Sequence, residues 1–329
     1  MKMMKIALDV MGFENDVNEA IIAAREFIKK HQDLEIILVG NQDLINPLIK
    51  PNEFNIVHTS EFVLQDDTVF SARRKQNSSI QICANLLKEK KVDGILSACN
   101  SGIFVFTLYS TIGTIPGINK LGFMPTIPKL DGIFNMVDVG ASIDVNQNDL
   151  VKFAIMANEY AKQFTTSPVI KLLNIGTEEH KGKELQVKTN EILKSLSFLN
   201  YQGYLEPNKL LNSDADVVIA DAFTGNIALK TMEGTAKTIG NALKTEFKKP
   251  KNLIKALFAK SVLKKISKKF DYKENAGAFV LGLNEMAVKT HGSADRKQFL
   301  SALRLLYNSI KFDVLNKMKE KLKEYDWEC

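Results

Sequence analysis

Short apolar runs alternate along this chain with stretches whose apolar residues recur at three- and four-residue steps. Residues 5–10, 34–39, 55–58 and 92–97 have the length and β-branched content of buried strands, as do 134–139, 169–174, 216–220, 278–283 and 286–290. Between them, the spacing predicts helices over 17–30, 42–49, 79–90, 149–162, 184–196 and 225–244. In the first of these, Ile21, Ile22, Ala24, Phe27 and Ile28 mark the inward stripe. A long closing helix over 297–323 is expected to break near 311–313. Strands separated by helical crossovers predict a largely parallel sheet covered on both faces, a three-layer α/β/α architecture. No tract rich in Gly, Ser or Pro divides the chain, so residues 1–329 are read as a single α/β domain.

In such sheets ligands bind beyond the carboxyl ends of the strands. Polar and glycine-rich clusters stand at those positions. Asp9 and Gly12 follow the first strand, and Ser97, Asn100, Ser101 and Gly102 the fourth. Asp138 and Gly140 end another strand, and Asn174, Gly176 and Glu178 the next. Asp221, Phe223, Thr224, Gly225 and Asn226 open the helix that carries Lys230. The segment from Lys289 through His291, Gly292 and Ser293 follows the last strand. All six clusters are expected to meet at one rim.

Charge changes this picture in one place. The formal net charge of +6 is uneven: residues 244–273 hold eleven lysines against Glu246 and Asp271, a net +9 that leaves the remainder at −3. Leu253, Ile254, Leu257, Phe258, Val262, Ile266 and Phe270 recur there at about four-residue steps with lysines between them. That pattern predicts a basic amphipathic helical arm suited to a membrane surface, with Leu253, Ile254, Leu257, Phe258 and Val262 as the contacts. The competing readings are an arm packing on its twin in a dimer and a nucleic-acid surface. For the last, the chain has no recognisable reading motif, so no nucleic-acid partner is expected.

Composition excludes other classes. With 45% hydrophobic and 25% charged residues the chain reads as globular. The N-terminal apolar run is too short for a signal peptide, and no run of about 20 apolar residues occurs to span a bilayer. Cys83, Cys99 and Cys329 are few and widely spaced, with no metal-binding pair, so a reducing cytoplasm and no metal site are expected. No GxGxxG fingerprint or acidic triad supports a dinucleotide- or metal-dependent dehydrogenase, and no organic cofactor is expected.

Taken in order, the clusters resemble the PlsX family of phosphate acyltransferases over nearly the whole chain. The strongest pieces are Leu172 through Gly182 (LLNIGTEEHKG), Asp221 through Asn226 with Leu229, Lys230, Thr231, Glu233 and Gly234, and Lys289 through Asp295 (KTHGSAD). The chain departs from the family form at Phe13 and Glu14, at Cys99, around 119–121 where an Arg-Pro is usual, and at Asn275 and Ala276 before Gly277. The resemblance implies a Rossmann-like fold akin to isopropylmalate dehydrogenase and phosphotransacetylase. It also implies transfer of a fatty acyl group from acyl carrier protein to inorganic phosphate, giving acyl-phosphate for phospholipid synthesis. A homodimer is implied, with peripheral membrane contact close to a membrane glycerol-3-phosphate acyltransferase.

Attack of a phosphate oxygen on a thioester requires no enzyme nucleophile. It requires positioning, donors for the developing oxyanion, and cations or backbone N–H groups for phosphate. Lys181, His291 and Asn100 are the catalytic candidates. The substrate and phosphate candidates are Asp9, Gly12, Ser97, Ser101, Gly102, Asn174, Gly176, Glu178, Asp221, Phe223, Thr224, Gly225, Asn226, Lys230, Gly277, Gly292 and Ser293. Cys99 has no paired base and is read as a packing residue. A short-chain phosphate acetyl- or butyryltransferase using acyl-CoA, and a degenerate membrane scaffold, are the alternatives.

Overall fold

The computed structural model describes residues 3–325, apart from the side chains of Leu253, Tyr272 and Lys273. Cys329 therefore lies outside the described residues. Eleven strands form one continuous sheet: β1 (Met4–Asp9), β2 (Leu34–Gly40), β3 (Asn55–His58), β4 (Gly94–Ser97), β5 (Gly122–Lys129), β6 (Gly132–Val137), β7 (Val169–Leu173), β8 (Asn200–Leu205), β9 (Val217–Ile219), β10 (Ala278–Leu281) and β11 (Ala287–Lys289). Their spatial order is β3-β2-β1-β4-β11-β10-β5-β6-β9-β7-β8.

Two parallel blocks make up this sheet. β3, β2, β1, β4 and β11 run together, and β6, β9, β7 and β8 run together. Between them β10 is antiparallel to β11, β5 to β10, and β6 to β5. Three reversals leave the blocks pointing in opposite directions. The expectation that six strand-end clusters share one rim is therefore corrected: those after β1, β4 and β11 lie at one edge, and those after β6, β7 and β9 at the other.

The sequence reading passed over β5 because Pro125 and Pro128 weaken a strand signal. The structure accommodates both because residues 122–125 pair with β10 and residues 126–129 with β6. Each half of β5 thus carries a ladder on one side, and a missing N–H is tolerated on the other. β8 was also unforeseen, as was the helix after β4.

Alternating side chains feed two apolar layers. Ile6 and Leu8 face one layer and Ala7 the other; Val217 and Ile219 are likewise opposed to Val218, and Phe279 and Leu281 to Val280. The first layer is covered by α1 (Val17–Ile28), α6 (Gln147–Ala161), α7 (Glu184–Ser195), α10 (Arg296–Lys311) and α11 (Val314–Glu324). The opposite layer is covered by α4 (Ser79–Lys88), α5 (Ser101–Ile112) and the start of α8 (Ala222–Phe247), after the short helices α2 (Gln42–Ile45) and α3 (Val69–Ala72). The closing helix breaks at Asp313, whose φ of 54° is left-handed, as its sequence pattern indicated.

After Glu233, α8 leaves the sheet. A turn at Pro250–Asn252 joins it to α9 (Leu253–Lys269), and no described residue from 234 to 270 is buried. Ile254, Leu257, Phe258 and Val262 are all exposed, Phe258 at 83%; the side chain of Leu253 lies outside the description. Lys269 meets Asp131 at 3.4 Å, and Lys297 pairs with Asp271 and Glu274, so charges tie the base of this helical pair to the body. No helix among the described residues is long and apolar enough to cross a membrane.

Candidate active site

The loops at the first edge are bound to one another through backbone groups. Gly12, at φ +72°, passes so near the Val63 carbonyl that a Cβ would lie 2.5 Å from its oxygen, a position only glycine fills without strain. Gln65 Nε2 donates to the carbonyls of Gly12 (2.5 Å) and Ala98 (3.1 Å). Asn100 Nδ2 donates to the Gln65 carbonyl at 2.7 Å, while its Oδ1 caps α5 by accepting from Ile103 N–H. The Glu14 N–H donates to the Gly292 carbonyl, and Asn15 Nδ2 to those of Ser293 and Ala294. Asp9, Gly12, Ser97, Asn100, Ser101, Gly102, His291, Gly292 and Ser293 are thus brought together. Gln65, which closes against Gly292, was not foreseen.

Beneath this edge Asp9 is fully buried. It accepts from Ser97 Oγ (2.7 Å) and Met11 N–H (3.1 Å), yet burial outweighs both bonds and raises its pKa to about 6. Lys289 ends β11 with its ammonium buried, which lowers its pKa to about 8; its Nζ donates to the Thr290 carbonyl. Lys289 opens the KTHGSAD motif without being among the site candidates, although a lysine at the end of a buried strand is itself a signal. Cys99 is buried and its thiol is pushed up to about 12, which keeps it protonated and unsuited to nucleophilic attack.

His291 is held in one tautomer. Its Nδ1 accepts from the Ser293 N–H at 3.2 Å and faces Ser293 Oγ at 2.8 Å. The proton of the neutral ring therefore sits on Nε2, which is left as a donor. Burial, then Lys289 and Lys230, lower the pKa and favour this neutral form. Lys230, on the third turn of α8, pairs with Glu233 at 2.8 Å. α8 thus links the two edges, since it starts at one and carries charge to His291 at the other.

At the second edge Asp138 organises the loop. Its buried carboxylate accepts from the N–H groups of Phe123, Gly140, Ala141 and Ser142, and burial still raises its pKa. Asp221 caps α8 through Thr224 N–H (2.9 Å) and Thr224 Oγ1 (2.7 Å). Asn226 lies beside Gly140. The loop of Asn174, Gly176, Glu178 and Lys181 folds on itself: Asn174 Nδ2 donates to the carbonyls of Gly176 and Lys181, and Lys181 pairs with Glu178 at 2.6 Å. Lys181 is exposed and sits at the edge opposite His291, so the structure does not bring these two catalytic candidates together. Gly277, φ +115°, packs on Ala302 of α10 and on Val288 of β11.

Two cavities flank the junction of the blocks. A groove of about 310 Å³ runs along α5, lined by Ser101, Gly102, Val105, Phe106 and Tyr109 and faced by Phe123, Gly140 and Ala141. A second, of about 540 Å³, opens where α6, α7 and α8 begin. Among the described residues no group of three or more His, Cys, Asp or Glu is placed to hold a metal.

The three-layer α/β/α fold carries an apolar groove that ends at a helix N-terminus. Solved phosphotransacetylases share the fold: EutD from Staphylococcus aureus superposes with a TM-score of 0.62 at 15% identity, covering 93% of this chain and 94% of that one. The Streptococcus pyogenes phosphotransacetylase gives 0.60 at 18%, covering 97% and 94%. Residues 4–317 match the model of the family described as fatty acid synthesis protein. The chain is 55% identical to a phosphate acyltransferase of Ureaplasma parvum over 99% of both sequences, and 45% identical to that of Malacoplasma penetrans over 98% of both. The chain belongs to this family, the PlsX phosphate acyltransferases, and is an acyltransferase.

Proposed function

We propose that the chain transfers a fatty acyl group from acyl carrier protein to inorganic phosphate, making acyl-phosphate for phosphatidic acid synthesis. The observation that carries this reading is the groove along α5. Val105, Phe106, Tyr109 and Phe123 give it an apolar wall, and Ser101 to Tyr109 spans about 12 Å of helix. An acyl chain lying there has its carbonyl end near the α5 N-terminus, where Ser101 and Gly102 offer free N–H groups.

In the step itself a phosphate oxygen attacks the thioester carbon and a C–O bond forms. The C–S bond breaks, and the thiolate leaves with the proton released by phosphate or solvent. The Nε2–H of His291 supports the developing oxyanion, and Asn100 positions the helix end that receives phosphate. Lys230 supplies a cation close by. Lys181 takes its place in this scheme through the loop it shares with Glu178 rather than through contact with the reacting atoms.

The enzyme works in the cytoplasm as a homodimer, with the helical pair of α8 and α9 resting on the membrane beside a glycerol-3-phosphate acyltransferase that consumes the product. Purified protein with palmitoyl-acyl carrier protein tests the reaction. Carrier release and acyl-phosphate formation that depend on phosphate support it. Turnover of acetyl- or butyryl-CoA in preference would move the assignment to a short-chain phosphate acyltransferase, and silence with every donor would leave a membrane scaffold.

A further inference from the structure

α5 carries more apolar surface than the sheet covers. Ile103, Phe104, Thr107 and Leu108 are buried, while Val105, Phe106 and Tyr109 form a second stripe at helical spacing along the groove. A helix that is apolar all round is normally covered on both faces. Here the second face is only half covered. Phe123, Gly140 and Ala141 stand across the groove from it, and Tyr109 is 50% exposed. The uncovered face calls for an apolar occupant that runs along the helix, and an alkyl chain has that shape.

Both the width and the end of the groove are set by particular residues. Gly140, at φ +132°, takes a side chain only with strain, and Ala141 adds a single carbon, so the facing wall stays low. Phe106 is held from above by the Arg73 guanidinium, 4.7 Å from its ring centroid. Val105 is the small member of the stripe, one turn from Ser101, and its branched side chain leaves the groove open past that turn. Tyr109 is the last lining side chain on α5. Ile112, a turn further on, lies outside the groove, and Gly113 ends the helix.

These positions convert into a chain length. Ser101 to Tyr109 spans about 12 Å of helix axis. An extended alkyl chain, with bonds of about 1.5 Å and angles of about 111°, advances about 1.25 Å per carbon. The groove therefore accommodates about ten carbons between the helix N-terminus and Tyr109, and about five between the N-terminus and Val105.

We infer that the α5 groove measures the acyl chain, with Val105 setting how deeply it enters and Tyr109 marking where it leaves the protein. The inference rests on the acyl-transfer reading above and adds the specificity of that same site. Chains shorter than about ten carbons leave part of the apolar stripe uncovered, whereas the carbons of a longer chain pass beyond Tyr109 and gain no further contact with the groove. The enzyme thus separates short acyl groups from long ones and treats the long ones alike.

The test reads chain length in binding and in turnover. The binding probes are n-alkylphosphonates of four to sixteen carbons, stable analogues of acyl-phosphate, titrated by calorimetry into the full chain. The same lengths are compared as acyl-carrier protein donors by their KM. Wild type is expected to bind about threefold tighter per added methylene up to about ten carbons and to level off beyond. This is below the fourfold (about 0.8 kcal/mol) of full burial because the groove is open on one side. Val105→Trp is expected to bring the break to about five carbons, and Tyr109→Ala to about six, the reach of Phe106. Tyr109 is half exposed, so its variant reports even if the tryptophan disturbs the helix. A gain that continues to sixteen carbons, or a break that stays at ten in both variants, overturns the inference, and the reaction stands if donors are still turned over. A break that moves in both variants without turnover of any donor upholds the measuring groove and overturns the reaction. Movement in Tyr109→Ala but not in a folded Val105→Trp overturns the part assigned to Val105. Phosphate-dependent turnover with no dependence on chain length removes the acyl chain from this groove.

Discussion

Gly225 packs against the backbone of Asp138 so closely that a Cβ on it would lie 2.0 Å from the Asp138 carbonyl oxygen. The first turn of α8 is thereby pressed onto the end of β6, which aligns Thr224 and Asn226 with the loop at Gly140. Gly225→Ala must push these backbones apart, because neither partner is the free end of a side chain. A loss of about 1–3 kcal/mol is expected from such overpacking. It would be read as a lower urea midpoint with an unchanged m-value, together with reduced activity. An unaltered midpoint would show that α8 is free to shift.

His291 and Lys181 are separable by kinetics. With Nδ1 already accepting from Ser293, the neutral ring donates through Nε2, and removing one oxyanion donor costs about 100-fold in kcat. His291→Ala is expected to show that loss and Lys181→Ala a change of no more than about threefold, since Lys181 faces Glu178 at the other edge. Burial lowers the His291 pKa from its usual 6.5, so the neutral form persists through neutrality. The rate is expected to be level from neutral to mildly alkaline pH and to fall only on acidification below the ordinary histidine range. A large loss in Lys181→Ala, with His291→Ala near wild type, would reverse these roles.

Asp9 gives a stability test with a definite sign. Its pKa is raised from 3.8 to about 6 by burial, so the folded chain holds this proton where the unfolded chain releases it. Stability therefore falls as pH rises through about 4 to 6 and is level above, a cost of about 3 kcal/mol at neutral pH. Asp9→Asn removes that cost and keeps an acceptor for Met11 N–H. Denaturation at pH 4.5 and 7.5 should show the variant gaining on wild type at the higher pH. An equal gap at both would mean that Asp9 titrates normally.

The exposed apolar residues of α9 make the membrane proposal concrete. Leu257 and Phe258 are 72% and 83% exposed among lysines. Replacing both with Glu is expected to abolish sedimentation with anionic vesicles at low salt while leaving turnover of a water-soluble donor intact. Retained sedimentation would place the contact elsewhere on the surface.

The sequence by itself determined the strand and helix alternation, the layered α/β/α class, the break at Asp313 and the motifs that identify the family. These are local properties: hydrophobic periodicity, and polar and glycine clusters at strand ends. It also showed that the lysine-rich segment departs in charge from the rest. What it did not carry was direction. Pro125 and Pro128 concealed β5, and without β5 the reversals across β10, β5 and β6 were invisible, so clusters at two edges were read as one. Only the tertiary structure separated Lys181 from His291, buried Lys289, and set Phe123, Gly140 and Ala141 across the groove from α5. Each of those depends on which distant segments come into contact and how much water they exclude, and residue spacing along a chain does not encode either.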